Sequence, residues 1–269
     1  MSEIKKSVKK RRVKKLPDDF IIIDNPVVPP STDPDIPVSE APVAAPTKKL
    51  QTEDLGKIFE MAVCLLYDIP FDGKYKYSME EADALKTRIE PLLLAFPHKI
   101  RHTAKNGSQY DFSGAEDESI KLSAKTTKKD GKVCPQVIGQ PSKKKFCQFF
   151  SLDVSMSLEE IKTHIESNVA DMLAIYFDLT FDCPVVYFNQ KTNILQLIKI
   201  TKKIEWSANI IEFSHKKKNK QWGESSTISI TGVTIGEFQV HNHRDCIKFR
   251  WAFENLLRVF ADSFDVISL

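Results

Sequence analysis

The sequence predicts a mixed α/β (α+β) domain behind a tail without regular structure. Three observations predict it. Residues 1–50 are basic and then proline-rich, with little apolar periodicity. From residue 51 onward, apolar residues recur with a helical period in some segments and a period of two in others. Those periods come in the order helix, strands, helix, strands, the pattern of one mixed domain rather than a bundle or a sandwich. The chain is therefore divided into a tail, 1–50, and a folded domain, 51–269.

The tail has two parts. Residues 1–15 hold eight bases and one acid, Glu3. Residues 16–50 include Pro26-Val27-Val28-Pro29-Pro30, where repeated prolines remove backbone donors and block both helix and ladder. Ile21-Ile22-Ile23 is read as part of this linker, with a short docking strand as the alternative. Charge is unevenly placed: the net charge of +3 equals the surplus of bases in the tail. The domain is neutral overall, so a nucleic-acid footprint on it must be a local patch.

Each element of the domain has a local cause. Thr52 caps a first helix, with Glu53 and Asp54 at its positive end and Leu55, Ile58, Phe59, Ala62, Val63 and Leu66 along one face. A second helix is expected over 78–96, ended by Pro97. Ile100 to Thr103 reads as a strand, Asn106-Gly107 as a hairpin turn and Gln109-Tyr110-Asp111-Phe112 as the returning strand. Ser119 to Thr126 alternates cleanly. Ile120, Leu122 and Ala124 share one face; Ser119, Lys121, Ser123 and Lys125 share the other. A helix over 157–178 opens on a capping box, Ser157 with Glu160. Strands follow at 185–189, 194–200, 210–214, 227–231 and 232–241, then an aromatic-rich helix over 249–264.

Several classes are excluded. The five cysteines form no C-x-x-C pair, which argues against a zinc cage or disulfide framework and suits a reducing compartment. No apolar run approaches a membrane span, and no apolar segment follows the basic start, so neither a membrane protein nor a secretory signal is expected.

One constellation carries chemistry. Metal-dependent hydrolysis of a phosphodiester needs carboxylates to hold a divalent ion. It also needs a lysine to orient water and offset charge, with all these groups on one rigid surface. Two adjacent strands supply that surface. Asp111 stands on one, and Ser123-Ala124-Lys125-Thr126 begins twelve residues later on the next. Taken singly, each has an ordinary explanation: a strand-end turn former, or lysines on a solvated edge. Together, and in this order, they resemble the PD-(D/E)XK nuclease superfamily and, within it, the type II restriction endonucleases. Lys132 to Ser142 and the segment Gly236 to His241, with Arg244 and Lys248-Phe249-Arg250, extend the resemblance to roughly residues 52–260.

The resemblance implies a restriction-endonuclease-like central mixed sheet flanked by helices. It also implies Mg²⁺ as cofactor, double-stranded DNA as substrate and a homodimer that cuts both strands. Asp111 and Glu60, the latter on the preceding helix, would hold the metal; Lys125 would orient water; Ser123 stands where the family has its middle acid. Glu118 is the second candidate for the missing carboxylate, and Ser119-x-Lys121 is a rival register. If no carboxylate fills the gap, the alternative is a noncatalytic DNA-binding protein on a decayed nuclease fold. A structure-specific repair or recombination nuclease is the third reading.

Candidate DNA contacts are Lys121, Gln136, Gln140, Lys143, Lys144, Lys217, Gln239, His241 and Arg244, with amide and guanidinium groups suited to base edges and lysines to phosphates. Trp222 beside Lys216-Lys217-Lys218 and Lys220 suggests a basic loop with an aromatic. His241-Asn242-His243 is not an HNH motif, whose letters are dispersed over a hairpin, and no cysteine pair makes it a zinc site. In the tail, Lys9, Lys10, Arg11, Arg12, Lys14 and Lys15 resemble a nuclear localisation signal, so nuclear import and a nuclear, otherwise cytoplasmic, location are expected.

Overall fold

A computed structural model describes residues 52–104, 108–129 and 131–269. The basic arm, the proline-rich linker with Ile21-Ile22-Ile23 and the Asn106-Gly107 turn lie outside the described residues.

Helix α1 (Thr52–Leu66) buries Leu55, Ile58, Phe59, Ala62, Val63 and Cys64, the helical stripe its sequence spacing predicts. The next helix is shorter than expected. α2 (Met79–Arg88) starts on Ser78, whose hydroxyl accepts from the Glu81 amide. It stops before Pro91, which has no N–H to continue the ladder and instead starts a single turn, α3 (Leu92–Ala95).

A six-stranded mixed sheet carries the domain. Its strands are β1 (Ile100–His102), β2 (Phe112–Gly114), β3 (Lys121–Thr127), β5 (Val185–Asn189), β6 (Ile194–Ile200) and β11 (Phe264–Ser268), in that spatial order. Among the described residues only β3 and β5 pair in parallel, with Ser123 opposite Val185 and Lys125 opposite Tyr187. A parallel pair needs a long crossover. Here the crossover contains β4 (Lys132–Val133), α4 (Lys143–Phe149), α5 (Leu158–Ser167) and α6 (Val169–Phe181). The helix expected over 157–178 is thus two helices. The Ser157–Glu160 capping box is present, but Asn168 ends one helix and begins the other.

A second, antiparallel sheet contains β4, β10 (Ile247–Ala252), β9 (Val233–Val240), β8 (Ser225–Ile230) and β7 (Ile211–Phe213) in that order. Four-residue α7 (Ser214–Lys217) follows β7. The helix expected over 249–264 is corrected. It is strand β10, then α8 (Phe253–Val259), then edge strand β11. The physical reason is visible in the residues: Ile247, Phe249 and Trp251 are buried while Lys248 and Arg250 between them are not, a period of two.

Two cores lie on opposite faces of the six-stranded sheet. On one, α1 and α2 pack over Ile100, Phe112, Leu122, Val186, Phe188 and Leu197. On the other, Val185, Tyr187 and Ile198 join α6 and the second sheet. Tyr176 of α6 stacks on Phe249 of β10, while Phe181 packs on Phe264 of β11, so α6 bridges the two sheets. Each such side chain taken fully from water stabilises the fold by about 1.5–3 kcal/mol. Among the described residues no helix is long and apolar enough to cross a membrane.

Candidate nuclease centre

β3 has two faces with different tasks. Leu122 and Ala124 point into the α1 core. Ser123 and Lys125 point the other way, beside Val185 and Tyr187. Asp111 immediately precedes β2, which begins at Phe112, three residues later than the strand expected to start at Gln109. Its carbonyl oxygen accepts from the Thr103 amide at 2.8 Å, which fixes it beside β1.

The structure brings Asp111, Ser123 and Lys125 together. Asp111 Oδ2 accepts from the Ser123 hydroxyl at 2.9 Å and from the Ala124 amide at 2.7 Å. Lys125 Nζ stands 3.9 Å from the same oxygen. Among the described residues every hydrogen bond to this carboxylate falls on Oδ2, leaving Oδ1 without one. Ser123 is fully buried, and its hydroxyl also accepts from Gln136 Nε2.

Gln136 reaches Ser123 because of a tight turn after β4. Val137 holds φ 60°, and the Ile138 amide closes on the Gln136 carbonyl at 2.6 Å. A β-branched residue in the left-handed region is strained. Gly139 then passes so close to the preceding chain that a Cβ would lie 2.5 Å from the Pro135 carbonyl oxygen. Strain and close packing here serve to present one amide to the Ser123 hydroxyl.

Glu60 is not brought to this group. It stands on α1, across the sheet, and is buried. Lys57 Nζ bonds both of its oxygens, at 3.0 and 2.8 Å, and His102 Nε2 lies 3.1 Å from Oε2. His102 Nδ1 accepts from the Asp72 amide at 2.9 Å, so the ring proton sits on Nε2 and is donated to Glu60. Glu118 is exposed and paired with Arg101 and Lys121.

Two further residues border the centre that sequence reasoning missed. Asp182, at the end of α6, accepts from Gln109 Nε2 and the Tyr110 hydroxyl, each at 2.6 Å. Cys183 follows it, buried, and burial pushes its thiol up, with the Asp182 charge adding to the effect and Lys125 opposing it. A thiol kept neutral in this way is no nucleophile. The signal for Asp182 was absent from the sequence, because it lies 71 positions from Asp111.

The polar face of the second sheet continues from this centre. Lys248 pairs with Gln239 and Gln239 with Ser225; Arg250 pairs with Glu237 and Glu237 with Thr227. Burial raises the Cys134 thiol, and Lys248, Arg250 and Lys125 all act on it with positive charge, so these cations share one neighbourhood. Glu237 is buried between Lys132 at 2.8 Å and Arg250 at 2.7 Å. Its burial alone would raise the carboxyl; the two cationic hydrogen bonds outweigh that and hold it below the usual carboxylate range. Arg250 Nε is buried without a partner among the described residues.

The remaining expected DNA contacts are dispersed. Lys121 bonds Ser113 at 3.1 Å and lies over the Tyr110 ring. Gln140 bonds the Cys134 sulfur at 3.3 Å. Lys143 and Lys144 start α4, and the Lys143 amide bonds Asp245 at 2.8 Å, tying α4 to the β9–β10 loop that holds Arg244. Gln239 lies on β9, and His241 follows its end. Lys217 pairs with Glu212 at 2.6 Å. Trp222, expected as the aromatic of a basic loop, is not presented by that loop: it is buried against His215 and Phe213 in the core.

No protein-family model matches the sequence, and no solved structure matches it either. Over 221 residues the chain is 49% identical to a protein named type II restriction enzyme CviAII, from Paramecium bursaria Chlorella virus 1. The match covers 82% of this chain and 64% of the relative, so the chain spans less than two thirds of the relative's length. The relative corrects the expected nuclear, otherwise cytoplasmic, location: it is a chlorella-virus restriction enzyme, and nothing in it supports a nuclear address. Physically, a run of bases attracts any polyanion and does not by itself specify a receptor. The chain's similarity is therefore to a viral type II restriction enzyme, over most of this chain's length.

Proposed function

We propose that the chain is a Mg²⁺-dependent endonuclease of the PD-(D/E)XK type that hydrolyses double-stranded DNA at a specific sequence. One observation carries the proposal: Asp111, Ser123 and Lys125 converge on one face of adjacent strands, with the lysine 3.9 Å from the carboxylate. The similarity to a restriction enzyme supports it independently.

The residues fit a Mg²⁺ ion in a sparse form. Mg²⁺ favours oxygen ligands and is often held by one or two carboxylates, completed by water and phosphate. Asp111 would hold it through Oδ1, the oxygen without a hydrogen bond among the described residues. When bound, the ion would neutralise charge on the scissile phosphate and acidify a coordinated water.

The chain's own groups do the rest. Ser123 and the Ala124 amide fix the Asp111 carboxylate by two hydrogen bonds to Oδ2. Gln136 fixes the Ser123 hydroxyl in turn. Lys125 supplies a fixed ammonium that orients the attacking water and offsets charge developing on the phosphate. Lys248 and Arg250 add positive charge on the adjoining sheet, where a phosphate backbone would lie, and Gln239 beside them offers an amide to a base edge. Glu60 supports the centre from the far face by holding His102 of β1. Two copies would be needed to cut both strands together.

The test is duplex DNA of known sequence incubated with protein, in Mg²⁺ or in EDTA. Discrete fragments in Mg²⁺ alone support the proposal, and a Mg²⁺-dependent smear supports a nuclease without sequence preference. A second reading rests on Ser123, a buried hydroxyl where the superfamily places an acid: DNA binding on a decayed nuclease fold. Intact DNA with a mobility shift would favour it.

A further inference from the structure

The loop between β9 and β10 carries His241 and His243, two residues apart at a strand end. The loop brings the two imidazole rings to 5.3 Å between centroids. Glu224, which immediately precedes β8, is brought against them by the fold. Its carbonyl accepts from the Val240 amide at 2.8 Å, and the next residue, Ser225, lies opposite Gln239. His243 Nδ1 stands 2.8 Å from Glu224 Oε1, and His241 Nδ1 stands 3.3 Å from Oε2. One ligand atom from each of the three residues lies within 4.8 Å of the others.

We propose that Glu224, His241 and His243 form a site for a transition-metal dication of the zinc type, separate from the Asp111 centre. Bonds of about 2.0–2.1 Å in a tetrahedral site put neighbouring ligand atoms roughly 3.3 Å apart. The two nitrogen–oxygen distances, 2.8 and 3.3 Å, lie at or just inside that spacing, and all three ligand atoms lie within 4.8 Å of one another. Two imidazoles and one carboxylate are the donor set of an open zinc site, with a fourth position left for water or another ligand. Imidazole nitrogens select such metals over Mg²⁺, which prefers an all-oxygen shell. Glu224 and His243 are exposed, at 45% and 57% of their side chains, so an ion can enter from solvent.

The position has a consequence. A bound ion would tie the start of β8 to the β9–β10 loop, which carries Arg244 and continues the polar row of Glu237 and Gln239. It would stiffen the edge of the proposed DNA face without touching the hydrolytic centre.

The test uses the full chain, freed of metal with a chelator and titrated with Co²⁺ alone at pH 7.5. One equivalent should bind with the intense visible absorption of low-coordinate Co²⁺ and be displaced by Zn²⁺. His243→Ala and Glu224→Ala, both at exposed positions, should each weaken binding by about 100-fold or more. His241→Ala should do the same, and Asp111→Asn should leave the absorption unchanged. Circular dichroism of the metal-free variants checks that each is folded. Absence of binding, or an absorption that survives in all three variants, would overturn the site. Loss in Asp111→Asn with retention in the triad variants would overturn it too, by placing the metal at the other centre. DNA cleavage enters none of these readouts, so the site stands or falls apart from the endonuclease proposal.

Discussion

Glu60 and Asp111 are two carboxylates placed on opposite faces of the same sheet, near the same strand pair. Glu60 faces the α1 core, is buried, and has both oxygens engaged by Lys57 and His102. Asp111 faces the second sheet, is half-buried, and keeps Oδ1 without a hydrogen bond among the described residues. The first arrangement satisfies a charge, and the second prepares one. A carboxylate with both oxygens hydrogen-bonded stabilises a fold. One fixed through a single oxygen, beside an ammonium, is organised to receive a cation or a phosphate.

The largest effect should come from the prepared face. Lys125→Ala and Asp111→Asn should each lower Mg²⁺-dependent cleavage of duplex DNA by about 10³-fold, measured as initial rate, with unfolding transitions close to the parent. Next in size is Glu237. Glu237→Gln leaves Lys132 and Arg250 without their shared carboxylate and should cost about 3 kcal/mol at pH 7 in a denaturant titration. The sign with pH follows from its lowered proton affinity in the fold. Its stabilisation is present above the ordinary carboxyl value of 4.5 and is lost as pH falls through the lower folded value. The gap between parent and variant should therefore close below that pH.

On the satisfied face, Glu60→Ala leaves the His102 Nε2–H buried without its acceptor and should cost about 2 kcal/mol, read from the same titration. The smallest effect belongs to the strained turn. Val137→Asn should stabilise the chain by about 1 kcal/mol, because asparagine tolerates the left-handed conformation better than valine. A loss of stability there would remove strain from the explanation of how Gln136 is held.

Much of this comparison was legible in the sequence. The alternation over 119–126 assigned Leu122 and Ala124 to one face and Ser123 and Lys125 to the other, because a strand's period of two leaves no freedom in that assignment. The Ser157–Glu160 box marked a helix start for the same local reason. The helix break at Asn168 was invisible, since apolar spacing continues across it. At the C-terminus the aromatic content suggested a helix, although Ile247, Phe249 and Trp251 already alternated with Lys248 and Arg250. Burial by the second sheet decided that segment, and no local propensity encodes it. Glu60 was assigned from its place before the strand pair, yet position along the chain does not say which side of a sheet a helix covers. Glu224 and Asp182 were missed because only the fold brings them to their neighbours.

The most direct measurement sets the two faces side by side. Single-turnover cleavage of duplex DNA in Mg²⁺ would be followed for the parent chain, Lys125→Ala and Glu60→Gln, with DNA binding measured by mobility shift. The predicted result is binding by all three, cleavage abolished in Lys125→Ala, and cleavage by Glu60→Gln much closer to the parent. Cleavage by Lys125→Ala at the parent rate would contradict the placement of the hydrolytic centre on the face that β3 turns to the second sheet.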